Sequence, residues 1–130
     1  MGDRASRIVL VGHCGPDAAM LRSAVRGAVP DASFETANDD ASLSRAIEGA
    51  DLALVNRALE GTFSASDGVE LIRQLASRRT GERPALMLVS NYEDAQARAV
   101  RAGAVEGFGK LAMYDDAAKE RLRRALGASA

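Results

Sequence analysis

The sequence is poor in the residues that most recognisable chemistry needs. A single cysteine among 130 residues excludes an internal disulfide and a cysteine-only metal cluster. A single histidine leaves no His/Cys set at zinc spacing. There is no tryptophan, and three Phe and two Tyr make no stacking platform for single-stranded nucleic acid. A net charge of −1 gives no basic field for wrapping a polyanion. No apolar run approaches the ~18 residues of a membrane span, and the polar stretch Met1 to Arg7 lacks the apolar region of a signal peptide. The expected location is therefore cytoplasmic, with neither membrane nor nucleic acid as partner. Lysine is scarce as well. Lys110 and Lys119 stand against fifteen arginines, so the place of each lysine carries information.

What is present reads as a folded protein. Apolar residues make up 47% and charged residues 27%, a globular balance. The length suits one domain, 1–130 with a core of about 6–127, burying roughly two-thirds of its unfolded surface. Arg7-Ile8-Val9-Leu10-Val11, Leu52-Ala53-Leu54-Val55 and Ala85-Leu86-Met87-Leu88-Val89 are continuous apolar runs, the pattern of strands buried on both faces of a parallel sheet. Shorter runs at Ala32 to Thr36 and Val105 to Phe108 complete five strands. Between them lie helical periodicities. Met20, Leu21, Ala24, Val25 and Ala28 form one stripe; Leu43, Ala46 and Ile47, then Leu71, Ile72 and Leu75, form two more. An alanine-rich segment, Asp94 to Ala102, supplies a fourth helix, and Ala118, Leu122, Ala125 and Leu126 mark a fifth. Asn38-Asp39-Asp40, Asp67-Gly68 and Asp115-Asp116 supply helix starts, and Gly49 and Gly103 supply stops.

Strand–helix alternation repeated five times predicts a parallel α/β sheet with right-handed crossovers and helices on both faces. Ligands in such sheets sit beyond the carboxyl ends of the strands. The positions to interrogate are therefore Gly12 and His13, Asn56, Ser90 and Lys110. A loop of about twelve residues, Asn56 to Asp67, follows the third strand, and loops of that length are commonly functional or mobile.

In order and spacing, RIVLVGH, DLALVN, ALMLVS and AGAVEGFGK resemble the CheY-like receiver domains of two-component response regulators over nearly the whole chain. The resemblance implies a flavodoxin-like, doubly wound (βα)5 fold. It also implies an acidic pair after the first strand, a phospho-accepting aspartate after the third, a Ser/Thr after the fourth and a lysine after the fifth. Ser90 and Lys110 match this pattern. Gly12 and His13 stand in place of the acidic pair, and Asn56 in place of the acceptor. Gly107 stands where the family carries its switch aromatic, with Phe108 expected on the opposite face of the strand. Leu111 replaces the usual proline after the lysine, so a trans bond is expected there.

These departures disable the family's chemistry. A carboxylate attacks the phosphoryl group while carboxylate-held Mg²⁺ neutralises its oxygens. An amide at Asn56 cannot form the acyl phosphate. A lone Lys110 would repel Mg²⁺ by about 4 kcal/mol per unit charge at ~4 Å and an effective dielectric of 20. The resulting expectation is a stand-alone, phosphorylation-independent receiver-like module. It is not an enzyme, it uses no cofactor and no Mg²⁺, and it binds a protein partner or itself through the fourth helix, fifth strand and fifth helix. Arg98, Arg101, Arg121, Arg123 and Arg124 crowd that region, either as interface anchors or in local pairs with Glu93, Asp94 and Glu120.

Other readings stay open at this stage. Asn56 is either a locked mimic bonded to Lys110 or Ser90, or an inherited turn residue. Lys110 either binds an anion with Ser90 or is satisfied by Asn56 and loop carbonyls. Gly12 to Asp17 is a weak phosphate-cradling candidate at a helix start. It matches no nucleotide-binding pattern, and Asp17 opposes an anion. His13 is a pH-sensor candidate and Cys14 a redox candidate, against plain packing. The alternative function is a flavodoxin-like binder, or an enzyme, for a small anionic ligand in the strand-end crevice.

Overall fold

The computed structural model describes residues 6–127. Met1 to Ala5, the greater part of the polar N-terminal stretch, lie outside them. The elements run β1 (Arg7–Val11), α1 (Gly15–Ala28), β2 (Ser33–Ala37), α2 (Asp40–Ala46), β3 (Leu52–Asn56), α3 (Gly68–Arg78), β4 (Ala85–Val89), α4 (Glu93–Ala102), β5 (Val105–Phe108) and α5 (Asp116–Ala125). A 3-10 turn, Lys110–Ala112, joins β5 to α5. The sheet is wholly parallel in the order β2-β1-β3-β4-β5. This is the doubly wound architecture that the strand–helix alternation predicts.

Period-2 geometry sends alternate strand residues to opposite faces. Ile8, Leu10, Leu54, Met87 and Phe108 pack with Leu21 and Val25 of α1 and Leu122 of α5. Val9, Val11, Val55, Leu86 and Leu88 pack with Leu43 of α2, Leu71 and Ile72 of α3, and Ala99 of α4. Every residue of β3 and β4 is buried. Their continuous apolar runs thus report two buried faces, each full-sized side chain contributing about 2 kcal/mol of transfer free energy.

The helix starts follow their chemistry. Asp39 caps α2 in a reciprocal capping box with Ser42, and the Asp67 carboxylate accepts from the Glu70 amide at the start of α3. Several details differ from the sequence reading: α2 ends at Ala46, three residues before Gly49, and α4 begins at Glu93. The second strand begins one residue later than expected, because the Ala32 amide bonds to the Val29 carbonyl in the preceding turn. Met20 belongs to the apolar spacing of α1 yet is 44% exposed, lying just outside the stripe made by Ala18, Leu21, Ala24, Val25 and Ala28.

Candidate functional site: the strand-end cleft

The carboxyl ends of the strands open on a cleft of about 250 Å³ bordered by Asp17, Asn56, Arg57, Ser90, Tyr92 and Lys110. Gly12 follows β1 at the same end of the sheet. Its φ of +73° suits glycine, and its N–H donates to the Ala37 carbonyl at 3.0 Å. Its own carbonyl accepts from the Glu60 amide at 2.9 Å and from Asn56 Nδ2 at 3.0 Å. A Cβ at position 12 would lie 2.7 Å from Leu59 Cδ2. A side chain at this position would be strained at this φ and would have to displace the end of Leu59.

Asn56 is buried and uses both donors of its amide on backbone carbonyls, Gly12 O at 3.0 Å and Ala58 O at 2.7 Å. It bonds to neither Lys110 nor Ser90, so the locked pairing entertained from the sequence is not formed. Its amide instead holds the loop after β3 against the end of β1. The same loop is tied down further along. The Thr62 amide donates to the Asn38 carbonyl at 2.8 Å, the Ser64 amide donates to the Asp40 carboxylate at 3.0 Å, and Ala65 is buried. At Gly61 the chain passes so close to the Asn38 carbonyl that a Cβ would collide with it. The long segment is thus a fitted plug anchored at both ends.

Lys110 is not a lone cation. Its Nζ lies 2.5 Å from Asp17 Oδ2, a partner 93 residues away in the first turn of α1. Neither Asn56 nor a loop carbonyl serves it. The Lys110 ammonium first, and the Cys14 thiol second, hold the Asp17 carboxyl below its ordinary range. The positive end of α1 therefore already carries a carboxylate where a phosphate-cradling turn would take its anion. Ser90 is engaged as well, its Oγ accepting from the Tyr92 amide at 3.1 Å and closing the turn into α4. Over the mouth of the cleft, the Arg57 guanidinium sits 5.0 Å from the Tyr92 ring centroid, a cation–π contact bridging two loops.

His13 lies beneath the cleft, 4% exposed. Its Nε2 donates to the Leu54 carbonyl at 2.9 Å, which places the ring proton on Nε2, and Nδ1 meets no partner among the described residues. Burial foremost, with a smaller contribution from Lys110, lowers its pKa to about 4 against the upward pull of the Leu54 bond. It is a neutral structural imidazole at ordinary pH.

The switch-aromatic position is closed in a different way. Gly107 packs so tightly that a Cβ would collide with the Leu88 carbonyl. Gln96 braces the same place, since its Nε2 donates to the carbonyls of Leu88 and Ser90 at 2.9 and 3.1 Å while its Oε1 accepts from the Gly107 amide at 3.1 Å. Phe108 is buried on the α1/α5 side, and the Lys110–Leu111 bond is trans.

The residues present do not fit a divalent cation. Asn56 turns its amide N–H groups to the backbone, Asp17 is neutralised by Lys110, and Leu59 fills the space over Gly12. Among the described residues no group of three or more His, Cys, Asp or Glu side chains could hold a metal ion. No helix among them is long and apolar enough to cross a membrane.

No family model matches the sequence, and no curated protein does. Solved structures do. A putative response regulator from Chloroflexus aurantiacus matches with a TM-score of 0.77 at 16% identity, covering 95% of this chain and 99% of that one. The receiver domain of NtrX from Brucella abortus matches at 0.63 and 23%, covering 95% and 100%. The longer NtrX chain matches at 0.65 and 23%, and this chain spans 27% of its length. The chain has the CheY-like receiver fold.

Sequence reasoning placed Gly12, His13, Asn56, Ser90 and Lys110 at strand ends, and all five lie there. It missed Asp17 as the partner of Lys110, because the carboxylate suited a helix start in its own right. It also missed Leu59 and Gln96, whose roles follow from tertiary contact. The glycines at 12 and 107 were the available signals, since each marks a place where another group comes too close for a side chain.

Proposed function

We propose that the chain is a receiver-like signalling module that works without phosphorylation and without catalysis, by binding another protein in the cytoplasm. The observation that carries this reading is that the strand-end groups are already engaged within the fold. The nucleophile position is an amide engaged with backbone, Leu59 packs on Gly12 at the acidic-pair position, and the lysine is bound to Asp17. Each of these groups already has its partner within the fold, which supports a role without phosphorylation.

The face formed by α4, β5 and α5 supports a partner. Val100 and Val105 are 46% and 42% exposed there. They are flanked by Arg101 and by Arg121, which donates to the Gly107 carbonyl at 2.7 Å and reaches Glu106 at 3.5 Å. Arg121 is thereby held as a rigid guanidinium beside apolar surface, a favourable interface arrangement. Arg98 and Arg124 are in local pairs with Asp94 and Glu120, and Arg123 turns away to the Ala28 carbonyl of α1. The interface is accordingly centred on Val100, Val105 and Arg121.

The test is capture of partners from the native cell by the immobilised chain, with and without acetyl phosphate and Mg²⁺. The same partner is expected in both conditions, with loss on Val105→Glu. Capture that needs acetyl phosphate, or that survives Val105→Glu undiminished, contradicts the proposal.

A further inference from the structure

The five helices share one rule of charge. Each carries a carboxylate in its first turn and an arginine in its last, the arrangement that complements a helix macrodipole. All five run against the parallel strands, so the helix-end charges segregate by sign. Helix-start carboxylates ring the cleft end, where Arg57 and Lys110 also lie, and helix-end arginines ring the opposite end, where Glu48 also lies.

Each end also carries apolar surface. At the cleft end Leu111 is 89% exposed, the most exposed large apolar side chain among the described residues, with Tyr114 at 50% and Met20 at 44%. Leu111 and Tyr114 are three apart where i→i+3 bonds run from Ala112 to Gly109 and from Asp115 to Ala112, so they share a face. The Tyr114 hydroxyl donates to the Met20 carbonyl at 3.3 Å, joining the three into one strip, and Asp115 and Asp116 follow at once. A groove of about 670 Å³ runs between α2 and α3, floored by the buried Leu43, Leu71, Leu75 and Leu86 and edged by the half-buried Ile47 and Pro84. It is open because α2 is only 7 residues long and packs mainly on β2. Toward the arginine end its rim is Arg78, Arg79 and Arg83 against Glu48.

We propose that the chain associates head to tail with further copies of itself, the Leu111–Tyr114–Met20 strip of one copy seating in the α2–α3 groove of the next. Charge selects this pairing. Strip on strip would bring Asp115 and Asp116 against their own kind, and groove on groove would bring Arg78 against Arg78. Strip in groove sets the acidic collar on the arginine rim. The contact is heterologous and uses a surface other than the α4–β5–α5 face, so copies add in a row rather than closing as a pair. It is independent of the signalling role proposed above.

Sedimentation velocity on the full chain tests this. At an ionic strength of about 0.01 M, where the screening length is about 30 Å, mass should rise with concentration; at about 1 M, where it is about 3 Å, association should weaken about tenfold. Leu111→Ser and Arg78→Glu change exposed side chains, and each alone should be monomeric. Mixed in equal amounts they should form a dimer and nothing larger, since one keeps the groove and the other keeps the strip. Val105→Glu should associate as the natural chain does. A natural chain that is monomeric throughout overturns the proposal. So does self-association of either single variant, or a mixture that stays monomeric.

Discussion

Burial keeps the His13 imidazole neutral, and this makes stability depend on pH. In the unfolded chain it takes a proton near its ordinary value of 6.5, whereas in the folded chain it resists until about 4. The unfolded state therefore binds more protons across that window. The stability associated with the neutral ring is complete above about pH 6.5 and is lost as pH falls toward 4, by about 3 kcal/mol in all. Asp17 acts in the same direction lower down, because its depressed carboxyl contributes stability that disappears as it protonates. Urea denaturation of the natural chain and of His13→Leu between pH 4 and 7 checks this. The natural chain should lose stability on acidification, and the variant should be nearly flat until carboxylates titrate. The position of His13 at a strand end was legible in the sequence. Its inward orientation was not, since that depends on a carbonyl, Leu54 O, from a neighbouring strand 41 residues away.

At the level of elements, the loop after β3 does the work that its length suggested, but as a fixed part of the fold. Glu60, Thr62 and Ser64 donate backbone N–H groups to Gly12 just after β1, to the β2–α2 turn and to the first residue of α2. Gly12→Asp tests the plug directly. An aspartate there would take a φ of +73° and meet Leu59, so it should destabilise the protein by about 2 kcal/mol or more. Thermal unfolding measures this, and a variant as stable as the natural chain would show that Leu59 does not hold that space. The strands and helices themselves were readable because each carries its own period and punctuation, as Asp39, Asp67 and Gly103 illustrate. The plug was not readable, because nothing in Arg57 to Phe63 is periodic and its contacts all lie on other elements.

For the molecule as a whole, the parallel sheet brings the ends of β1, β3, β4 and β5 together around one cleft, and the chain engages the groups there with its own. Asn56 bonds to the Gly12 and Ala58 carbonyls, Lys110 to Asp17, Leu59 packs on Gly12, and Gln96 bonds to the Leu88 carbonyl; on the function proposed above, none of these groups serves a phosphoryl group. Restoring the nucleophile alone should therefore restore nothing. The decisive measurement is intact mass spectrometry of Asn56→Asp after incubation with acetyl phosphate and Mg²⁺. The account predicts no acid-stable, hydroxylamine-sensitive gain of one phosphate, and a labelled Asn56→Asp protein whose labelling requires Mg²⁺ would contradict it.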